Sequence, residues 1–489
     1  MIIKTKQDEI QNYLVDASNF KGKCDAVYIP LNKEELINIL KEANQQKIKV
    51  TVSGAGTGLT GARVPEEGIV ISTEKLNSII EINTEENYVI VEPGVYLSHL
   101  LDELKKVNRF YPPDPTEKNC FIGGTVATNA SGAKTFKYGA TRNFVQELEI
   151  ILADGDELYL KRGDIVSDGN KLRLTAKSGK EILLELPEIN LPVTKNASGY
   201  FIKPDMDAID LFIGSEGTLG VFSKIKLKIL PYPERIISMV AFFNNEIDAL
   251  SFIDEARNIS YQTREKNSED EIDALALEFF DGNSLKFLSL DFPNIPSNTS
   301  AAVWFEQEAK LINEDLLIEK WFNLVSKYKV GEENIWFATS EPERKKIEEF
   351  RHAISWKVNE YISRNDFRKL GTDVAVPDNQ MINFYNYLIE LMSDSEIDYV
   401  LYGHLGNSHF HLNMLPKNEI EFEKGRELYR KICLKAIELK GTVSAEHGIG
   451  KIKVQYLIDM FGERTVDQMK SIKKQLDPNY ILGVGNIFK

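Results

Sequence analysis

The sequence of 489 residues has few cysteines and no long apolar run. Its three cysteines, Cys24, Cys120 and Cys433, lie far apart and form no Cys-x-x-Cys pair. This argues against a zinc ribbon or a cysteine-bound iron–sulfur cluster and is typical of a reducing compartment. No apolar stretch approaches the roughly 18 residues of a membrane span, and residues 1–10 carry charges where an export signal has its apolar core. We therefore expect a soluble cytoplasmic protein.

Basic residues are outnumbered, since 59 Lys and Arg face 74 Asp and Glu, giving a formal net charge of −15. Nucleic-acid binding needs a basic face, so this balance argues against nucleic acid as a partner. The hydrophobic fraction of 43% and the charged fraction of 27% are ordinary for a globular protein. They exclude whole-chain disorder, collagen and a disulfide scaffold. The length predicts about three domain-sized units, or one large fold with insertions.

Apolar periodicity predicts alternating strands and helices in the first half of the chain. The strands are predicted at 26–29, 48–52, 68–71, 88–91 and 148–152, and the helices at 31–46 and 95–107. Asn32 is a predicted N-cap, and a β-hairpin is predicted within 160–185. Pro231 and Pro233 mark a domain boundary, after which residues 235–430 mix strands and helices. The last 50 residues are predicted to be mostly helical.

A glycine-rich loop follows the second predicted strand. Residues 56–61 match Gly-x-Gly-x-x-Gly, but a strand follows where the dinucleotide fingerprint requires a helix, so we reject that site. The nearly side-chain-free positions at 53–61 let backbone N–H groups approach a phosphate closely; a flexible surface loop is the alternative. Further glycine-bearing segments at 121–132, Gly139 and 214–220 favour a backbone wrapped around a long cofactor.

Several of these segments resemble a known family. Residues 53–61, Pro-Pro-Asp-Pro at 112–115, and the segments at 122–132 and 213–220 are similar, in order, to the FAD-binding oxidoreductases of the vanillyl-alcohol oxidase type. Lys-Asn-Ala-Ser-Gly-Tyr at 195–200 fits the segment that precedes the last of them. The resemblance spans nearly the whole chain. It is closest to the D-2-hydroxy-acid dehydrogenase branch, with its D-lactate, D-2-hydroxyglutarate and glycolate dehydrogenases.

The resemblance implies an α+β fold in three parts. Residues 1–232 would form a PCMH-type FAD-binding domain of two α+β subdomains, and residues 233–430 an α+β cap over the substrate. Residues 431–489 would form a helical segment that returns to complete the FAD domain and the active site. Some relatives attach the flavin to His; because no His lies between His99 and His352, we expect noncovalent FAD.

The resemblance also implies the cofactor contacts. The backbone N–H groups of residues 54–58, 60 and 61 would hold the pyrophosphate, residues 123–132 would line the flavin and its chain, and 216–221 would add backbone contacts. The full set is Ser53, Gly54, Ala55, Gly56, Thr57, Gly58, Thr60, Gly61, Pro113, Asp114, Gly123, Gly124, Thr128, Asn129, Gly132, Glu216, Gly220 and Val221. Ser53 stands where many members have Arg, which would weaken one contact.

Three of the six histidines, His404, His409 and His411, fall within eight residues. If Asn407 and Ser408 form a two-residue turn, His404 lies opposite His411, with Cβ atoms about 4.5–5.5 Å apart. Two imidazoles so placed can share a divalent metal, and His409 points to the same face. A polar, hydrogen-bonded hairpin is the alternative.

The family pattern assigns roles in this part of the chain. By resemblance, three residues bind a divalent metal, expected to be zinc with manganese or iron as alternatives: His404, His411 and Glu446. His447 would be the catalytic base. The implied substrate contacts are Arg351, Ser355 one helical turn later, Lys369 and Asn413. Without the resemblance, Arg351 would be assigned to a solvated helix face.

The chain departs from the family pattern at three consecutive positions. Asn407 replaces Asp, Ser408 replaces Gly and His409 replaces Asn. The turn is therefore expected to differ, and His409 is a candidate for an additional metal ligand.

These residue types suit the oxidation of a 2-hydroxy acid, in which a hydride leaves C2 for flavin N5 while the hydroxyl loses a proton. A metal lowers the pKa of the hydroxyl, a neutral imidazole such as that of His447 takes the proton, and Arg351 can hold the carboxylate bidentately.

We predict a metal-assisted, FAD-dependent D-2-hydroxy-acid dehydrogenase. An electron-transfer flavoprotein or a quinone would take the electrons, and a homodimer is a candidate assembly. The alternatives are alkyl-dihydroxyacetone-phosphate-synthase-like chemistry and an electron-transfer subunit without turnover.

Overall fold

The computed structural model describes residues 1–365 and 367–489. The first subdomain contains β1 (Ile2–Lys4), α1 (Gln7–Ile10), β2 (Ala26–Ile29), α2 (Lys33–Gln46), β3 (Val50–Ser53) and β4 (Ile69–Ser72). Its strands form one sheet in the order β1-β2-β4-β3, with β2, β4 and β3 parallel. Asn32 caps α2 as predicted, because its side chain accepts from the N–H of Glu35. No helix lies between β3 and β4, all of which is described, so the rejection of the dinucleotide fingerprint is confirmed.

The second subdomain is an antiparallel sheet with short helices and a hairpin. Its elements are β5 (Ile79–Asn83), β6 (Tyr88–Val91), α3 (Leu97–Lys106), β7 (Arg109–Phe110), α4 (Ile122–Ala127), α5 (Thr135–Tyr138), β8 (Val145–Ile151), β9 (Glu157–Lys161), β10 (Lys171–Thr175), β11 (Glu181–Glu185), α6 (Ile209–Phe212), β12 (Val221–Lys228) and β13 (Leu230–Pro231). Five strands pair in the order β5-β6-β12-β8-β9. Strands β10 and β11 form the hairpin predicted within 160–185.

The cap is built on one large antiparallel sheet. It contains β14 (Arg235–Phe243), α7 (Glu246–Lys266), β15 (Ala274–Asp281), α8 (Gly282–Leu288), β16 (Ala301–Ala309), α9 (Glu314–Ser326), β17 (Ile335–Ala338), α10 (Glu341–Arg364), β18 (Leu370–Gly371), β19 (Val374–Ala375), α11 (Met381–Ser393), β20 (Tyr399–Gly403), β21 (His409–Met414) and α12 (Glu419–Glu438). The strand order is β17-β14-β16-β15-β20-β21-β18, and β19 also pairs with β21. The sheet brings β15, α10 and the β20–β21 hairpin together.

The C-terminal segment returns to the first subdomain. The N–H of Val50 donates to the carbonyl of Ile481 at 2.7 Å, and the N–H of Gly483 donates to the carbonyl of Val50 at 2.8 Å. The prediction that the last 50 residues are mostly helical is wrong. The helices α13 (Val454–Phe461) and α14 (Glu463–Leu476) leave more than half of these residues outside helices. The non-helical part includes a loop at the candidate active site. Across residues 1–365 and 367–489, no helix combines the length and apolar character needed to cross a bilayer.

The strand pairing in the histidine hairpin differs from the prediction. Tyr402, and not His404, lies opposite His411. The connection is longer than two residues, since residues 405–407 form a 3₁₀ turn and Ser408 follows in the left-handed region with a φ of 50°. His404 precedes this turn, and its ring centroid still lies 5.3 Å from that of His411. The two imidazoles therefore meet, although not as a cross-strand pair.

A buried arginine accounts for the longer turn. Arg257 of α7 is fully buried and donates to the carbonyl of Leu405 at 3.1 Å and to the hydroxyl of Ser408 at 2.8 Å. The Ser408 hydroxyl donates in turn to Asp378 at 2.7 Å. These tertiary contacts satisfy the Leu405 carbonyl and the Ser408 hydroxyl, and a local turn rule takes no account of them.

Candidate active site

Four parts of the chain meet at the candidate active site. The β20–β21 hairpin supplies the histidines, and residues 444–450 supply the adjacent Glu-His pair. Asp373 lies between β18 and β19, and Lys195 and Ser131 reach the site from the first 232 residues. The polar contacts of Glu446 join these parts: its Oε2 accepts from Lys195 at 2.7 Å and from Ser131 at 3.4 Å.

Three atoms that can accept a hydrogen bond or bind a metal face one another at the site: Nε2 of His404, Nε2 of His411 and Oε1 of Glu446. His404 Nδ1 lies 2.7 Å from the Glu278 carboxylate and His411 Nδ1 lies 3.1 Å from the carbonyl of Thr372. Both partners only accept, so each Nδ1 carries the hydrogen and each Nε2 presents a lone pair. The two Nε2 atoms face Glu446 Oε1 at 3.5 and 3.3 Å. Two imidazole nitrogens and one carboxylate oxygen fit a divalent transition metal.

The electrostatics of Glu446 agree with a cation site. Burial alone would raise the pKa of this carboxyl, but the positive charge of Lys195, 2.7 Å away, leads the contacts that outweigh burial and hold the pKa well below its usual range. Glu446 is therefore an anion in the folded protein. Lys195 was not predicted as a site residue, although it lies in the 195–200 segment that carried part of the family resemblance.

Asp373 organises the segment that contains His447. It is fully buried and accepts from the N–H groups of Glu446 and His447 at 3.1 and 3.0 Å and from Lys453 at 2.8 Å. Burial would raise the pKa of Asp373, but the surrounding donors hold the pKa well below its usual range. His447 lies with Nδ1 3.4 Å from Asp373 and Nε2 3.5 Å from Glu446. Asp373 was missed in the sequence, where its only signal is an acid within an apolar run.

Potential ligand atoms form two overlapping groups. Those of His404, His409, His411 and Glu446 all lie within 4.8 Å of one another, and the same holds for Asp373, His411, Glu446 and His447. The three predicted metal ligands belong to the first group.

Arg351 does not lie on a solvated helix face. Only 5% of it is exposed, and its Nε and Nη2 donate to Glu278 at 3.1 and 2.8 Å while Nη1 donates to Thr116 at 2.9 Å. Glu278 thus holds both Arg351 and His404. Burial opposes ionisation of Glu278, but these two partners lower its pKa to about 2. Glu278 was not predicted, because nothing in the sequence of β15 indicates that this side chain contacts Arg351 and His404.

The other predicted substrate residues lie on three elements of the cap, Ser355 on α10, Lys369 immediately before β18 and Asn413 on β21. The hydroxyl of Ser355 donates to that of Tyr402 at 3.3 Å. Asn413 Oδ1 is buried and has no hydrogen-bond partner among the described residues. Lys369 donates to Asn359 at 3.0 Å, and burial lowers its pKa to about 8. An unpaired acceptor and a desolvated cation are groups that a polar ligand can satisfy.

The predicted phosphate loop has free donors, with one exception. No backbone hydrogen bond within the described chain engages the N–H groups of residues 55–58. The N–H of Gly61, however, donates to Asp16 at 2.8 Å, and its part in holding a pyrophosphate stays a prediction. Thr60 keeps its carbonyl engaged with the N–H of Lys451 at 2.9 Å. The buried Ser53 donates its hydroxyl to the carbonyl of Gly54.

The second glycine segment faces the first. A Cβ built on Gly54 would lie 4.0 Å from the Cα of Gly124, and one on Gly124 would meet nothing within 4 Å. Gly132 instead packs against the backbone of Asp114 and Gly123 against Pro93. Of the remaining predicted cofactor residues of this region, Pro113 is buried, the Thr128 hydroxyl donates to the carbonyl of Gly124, and the Asn129 side chain accepts from the N–H of Arg142.

The third glycine segment contacts the loop of the predicted base. The carboxylate of Glu216 accepts from the N–H groups of Ile449 and Gly450, both at 2.7 Å, and burial raises the pKa of Glu216 to about 7. Gly448 leaves room for this carboxylate, since a Cβ there would lie 2.7 Å from it. Glu216 therefore holds the His447 loop with its side chain, a role that the prediction of backbone contacts did not include. Val221 begins β12, and Gly220, which immediately precedes it, packs against β8.

Comparison with known proteins agrees with this architecture. Residues 24–160 match the FAD binding domain family, and residues 249–487 match the C-terminal domain of FAD linked oxidases. The chain is 30% identical to a D-lactate dehydrogenase of Archaeoglobus fulgidus, over 94% of this chain and 90% of the relative. It is 29% identical to the glycolate oxidase subunit GlcD of Bacillus subtilis, over 97% and 92%, and 26% identical to a D-2-hydroxyglutarate dehydrogenase of Stutzerimonas stutzeri, over 99% and 96%.

Solved structures show the same fold. The chain superposes on an alkyldihydroxyacetonephosphate synthase with a TM-score of 0.66 at 14% identity, covering 98% of this chain and 81% of the other. An FAD-binding domain of two subdomains with an α+β cap thus defines the class, a flavin-dependent oxidoreductase. The chain belongs to the FAD-linked oxidoreductases of the vanillyl-alcohol oxidase type, in the D-2-hydroxy-acid dehydrogenase branch, as the resemblance predicted.

Proposed function

We propose that the protein oxidises a D-2-hydroxy acid to the 2-oxo acid with noncovalent FAD and a divalent metal. The observation that carries the proposal is the convergence of lone pairs from His404, His411 and Glu446 beside His447 and Arg351. A cation site, a base and a carboxylate receptor are the three functions that this oxidation needs. The names of the relatives, D-lactate dehydrogenase and D-2-hydroxyglutarate dehydrogenase among them, support the substrate class.

Arg351 binds the substrate carboxylate in this proposal. Glu278 accepts from one edge of its guanidinium, so the remaining N–H groups keep a fixed direction for the ligand. Asn413, with its free oxygen, and Lys369 orient the rest of the acid. Ser355 lies next to Tyr402 and contributes a hydroxyl to the same wall.

His447 takes the hydroxyl proton at Nε2. Asp373 lies 3.4 Å from Nδ1, which favours the tautomer with hydrogen on Nδ1 and a lone pair on Nε2. Bound FAD would supply the hydride acceptor, and a metal held by His404, His411 and Glu446 would lower the pKa of the hydroxyl. Zinc is the proposed metal, with manganese or iron as alternatives, and an electron-transfer flavoprotein or a quinone is the proposed acceptor.

The glycine segments make a paired prediction about FAD. A Cβ at Gly132 would overlap the backbone of Asp114, whereas one at Gly124 has open space. We expect Gly132→Ala to destabilise the apoprotein by about 1–3 kcal/mol through overpacking. Gly124→Ala should leave the apoprotein at least as stable as the wild type, because alanine favours the helix, and should weaken FAD binding, because the added methyl group enters the proposed cofactor space. Thermal unfolding with and without FAD measures both effects. Unchanged FAD affinity in Gly124→Ala would remove this residue from the cofactor site.

The proposed function is tested by anaerobic visible spectroscopy of the holoenzyme titrated with D-lactate, D-2-hydroxyglutarate and glycolate in turn. We expect one acid to bleach the flavin band and, where that acid is chiral, its L-enantiomer to leave the band unchanged. A flavin band that no hydroxy acid bleaches would contradict the proposal and favour the electron-transfer or synthase-like alternatives. Elemental analysis of the same sample identifies the metal.

A further inference from the structure

His409 is fully buried between two charged side chains. Its Nε2 lies 2.9 Å from Asp373 Oδ1, and its Nδ1 lies 3.3 Å from the Nζ of Lys195. The family pattern has Asn at this position. Because His409 lies on the same strand face as His411, with ring centroids 4.3 Å apart, a role as an additional metal ligand must be tested against these two contacts.

The partners determine which ring nitrogen carries the hydrogen. An ammonium group only donates, so Nδ1 of His409 accepts from Lys195. A carboxylate only accepts, so Nε2 carries the hydrogen and donates to Asp373. Both ring nitrogens are thus engaged, and the single available lone pair, on Nδ1, is directed at Lys195 and not at a metal. His404 and His411 differ in this respect, since each keeps a free Nε2 facing Glu446.

We propose that His409 is a positioning residue and not a metal ligand, and that it acts through two arms. Through Nδ1 it holds Lys195, which donates to Glu446 Oε2 at 2.7 Å and so leaves Oε1 directed at the imidazoles. Through Nε2 it holds Asp373, which accepts from the backbone N–H of His447. The inference rests on the proposed function, since it assigns one arm to the metal ligand and the other to the base.

Each arm has further support, which sets the size of the expected effects. Lys195 keeps its ion pair with Glu446 when His409 is changed, and Asp373 also accepts from Lys453 and from the Ser444 hydroxyl at 2.7 Å. Losing one arm therefore misaligns a group without removing it. Partners that orient metal ligands typically contribute 10–100-fold to affinity or activity, and we expect the lower end, about tenfold.

Two substitutions of His409 separate the arms. Asn places an oxygen near the position of Nδ1, so His409→Asn keeps an acceptor for Lys195 and loses the donor to Asp373. Gln places an amide N–H near the position of Nε2, so His409→Gln keeps the donor and loses the acceptor. In the full-length holoenzyme, we expect His409→Gln to weaken Co²⁺ by about tenfold with kcat at saturating Co²⁺ nearly unchanged. His409→Asn should bind Co²⁺ like the wild type and lose about tenfold in kcat at unchanged KM.

The d–d absorption of bound Co²⁺ reports on direct ligation. We expect the same spectrum in both variants as in the wild type and in the surface control His99→Gln. A changed spectrum with an equal loss of Co²⁺ affinity in the two variants would make His409 a ligand and overturn the proposal; wild-type affinity and kcat in both would also overturn it. The Co²⁺ titration needs no turnover. A protein that shows the expected affinity pattern but oxidises no hydroxy acid would therefore contradict the proposed function while supporting the metal arm.

Discussion

Replacing His447 with asparagine is expected to lower kcat for the hydroxy acid by about 10²–10⁴-fold, the usual contribution of a general base. Asparagine retains a polar group of similar reach but cannot accept a proton at neutral pH. The acceptors of the proposed metal site, His404, His411 and Glu446, are untouched, so the metal content should remain that of the wild type. Anaerobic stopped-flow measurement of flavin bleaching gives the rate of the hydride step directly.

The matched control for this variant is His99→Asn. His99 is exposed on α3, outside the site, so the same chemical change should leave the rate unaltered. The result that contradicts the assignment is flavin bleaching at the wild-type rate in His447→Asn with a normal metal content. Another group would then take the proton. Loss of metal in this variant would instead show that His447 belongs to the ligand set.

Local sequence patterns predicted the elements that depend on neighbours along the chain. The strand Tyr88–Val91 and the Asn32 cap arise from spacing and from a side chain that bonds three residues away. The absence of a helix after the glycine loop was also predicted, because it depends only on the order of short neighbouring elements. Each of these features requires only information within about 20 residues.

The supports of the site could not be predicted in this way. Glu278 reaches Arg351 and His404 across 73 and 126 positions, and a single sequence contains no sign of that approach. The prediction of a two-residue turn in the histidine hairpin was wrong for the same reason, since Arg257 contacts Ser408, 151 positions away in the sequence. Tertiary contacts of this kind override local turn preferences. The family resemblance supplied residues that are predicted to contact ligands, but the residues that hold those side chains in place required coordinates.

The second large effect is expected from Glu446→Gln. The amide keeps the shape of the side chain and removes the only anionic ligand of the predicted set. We expect metal binding to weaken by more than about 100-fold, beyond the range typical of residues that only orient ligands. Hydroxy-acid oxidation should fall with it, while FAD is retained because Glu446 lies outside the glycine loops. Elemental analysis after gel filtration and the visible flavin spectrum measure the two quantities on one sample.

Glu438→Gln is the matched control, because this carboxylate is on the surface of α12 and, among the residues that the structure describes, forms an ion pair only with Lys435. Full metal content in Glu446→Gln would contradict the proposed site.

Combining Glu446→Gln with His447→Asn adds a sharper test. If Glu446, through the metal, and His447 act on the same hydroxyl proton, each contributes little once the other is removed. The fold-loss in kcat of the double variant should then be smaller than the product of the fold-losses of the two single variants. Independent action would instead multiply the losses, and that result would separate Glu446 from the proton transfer assigned to His447.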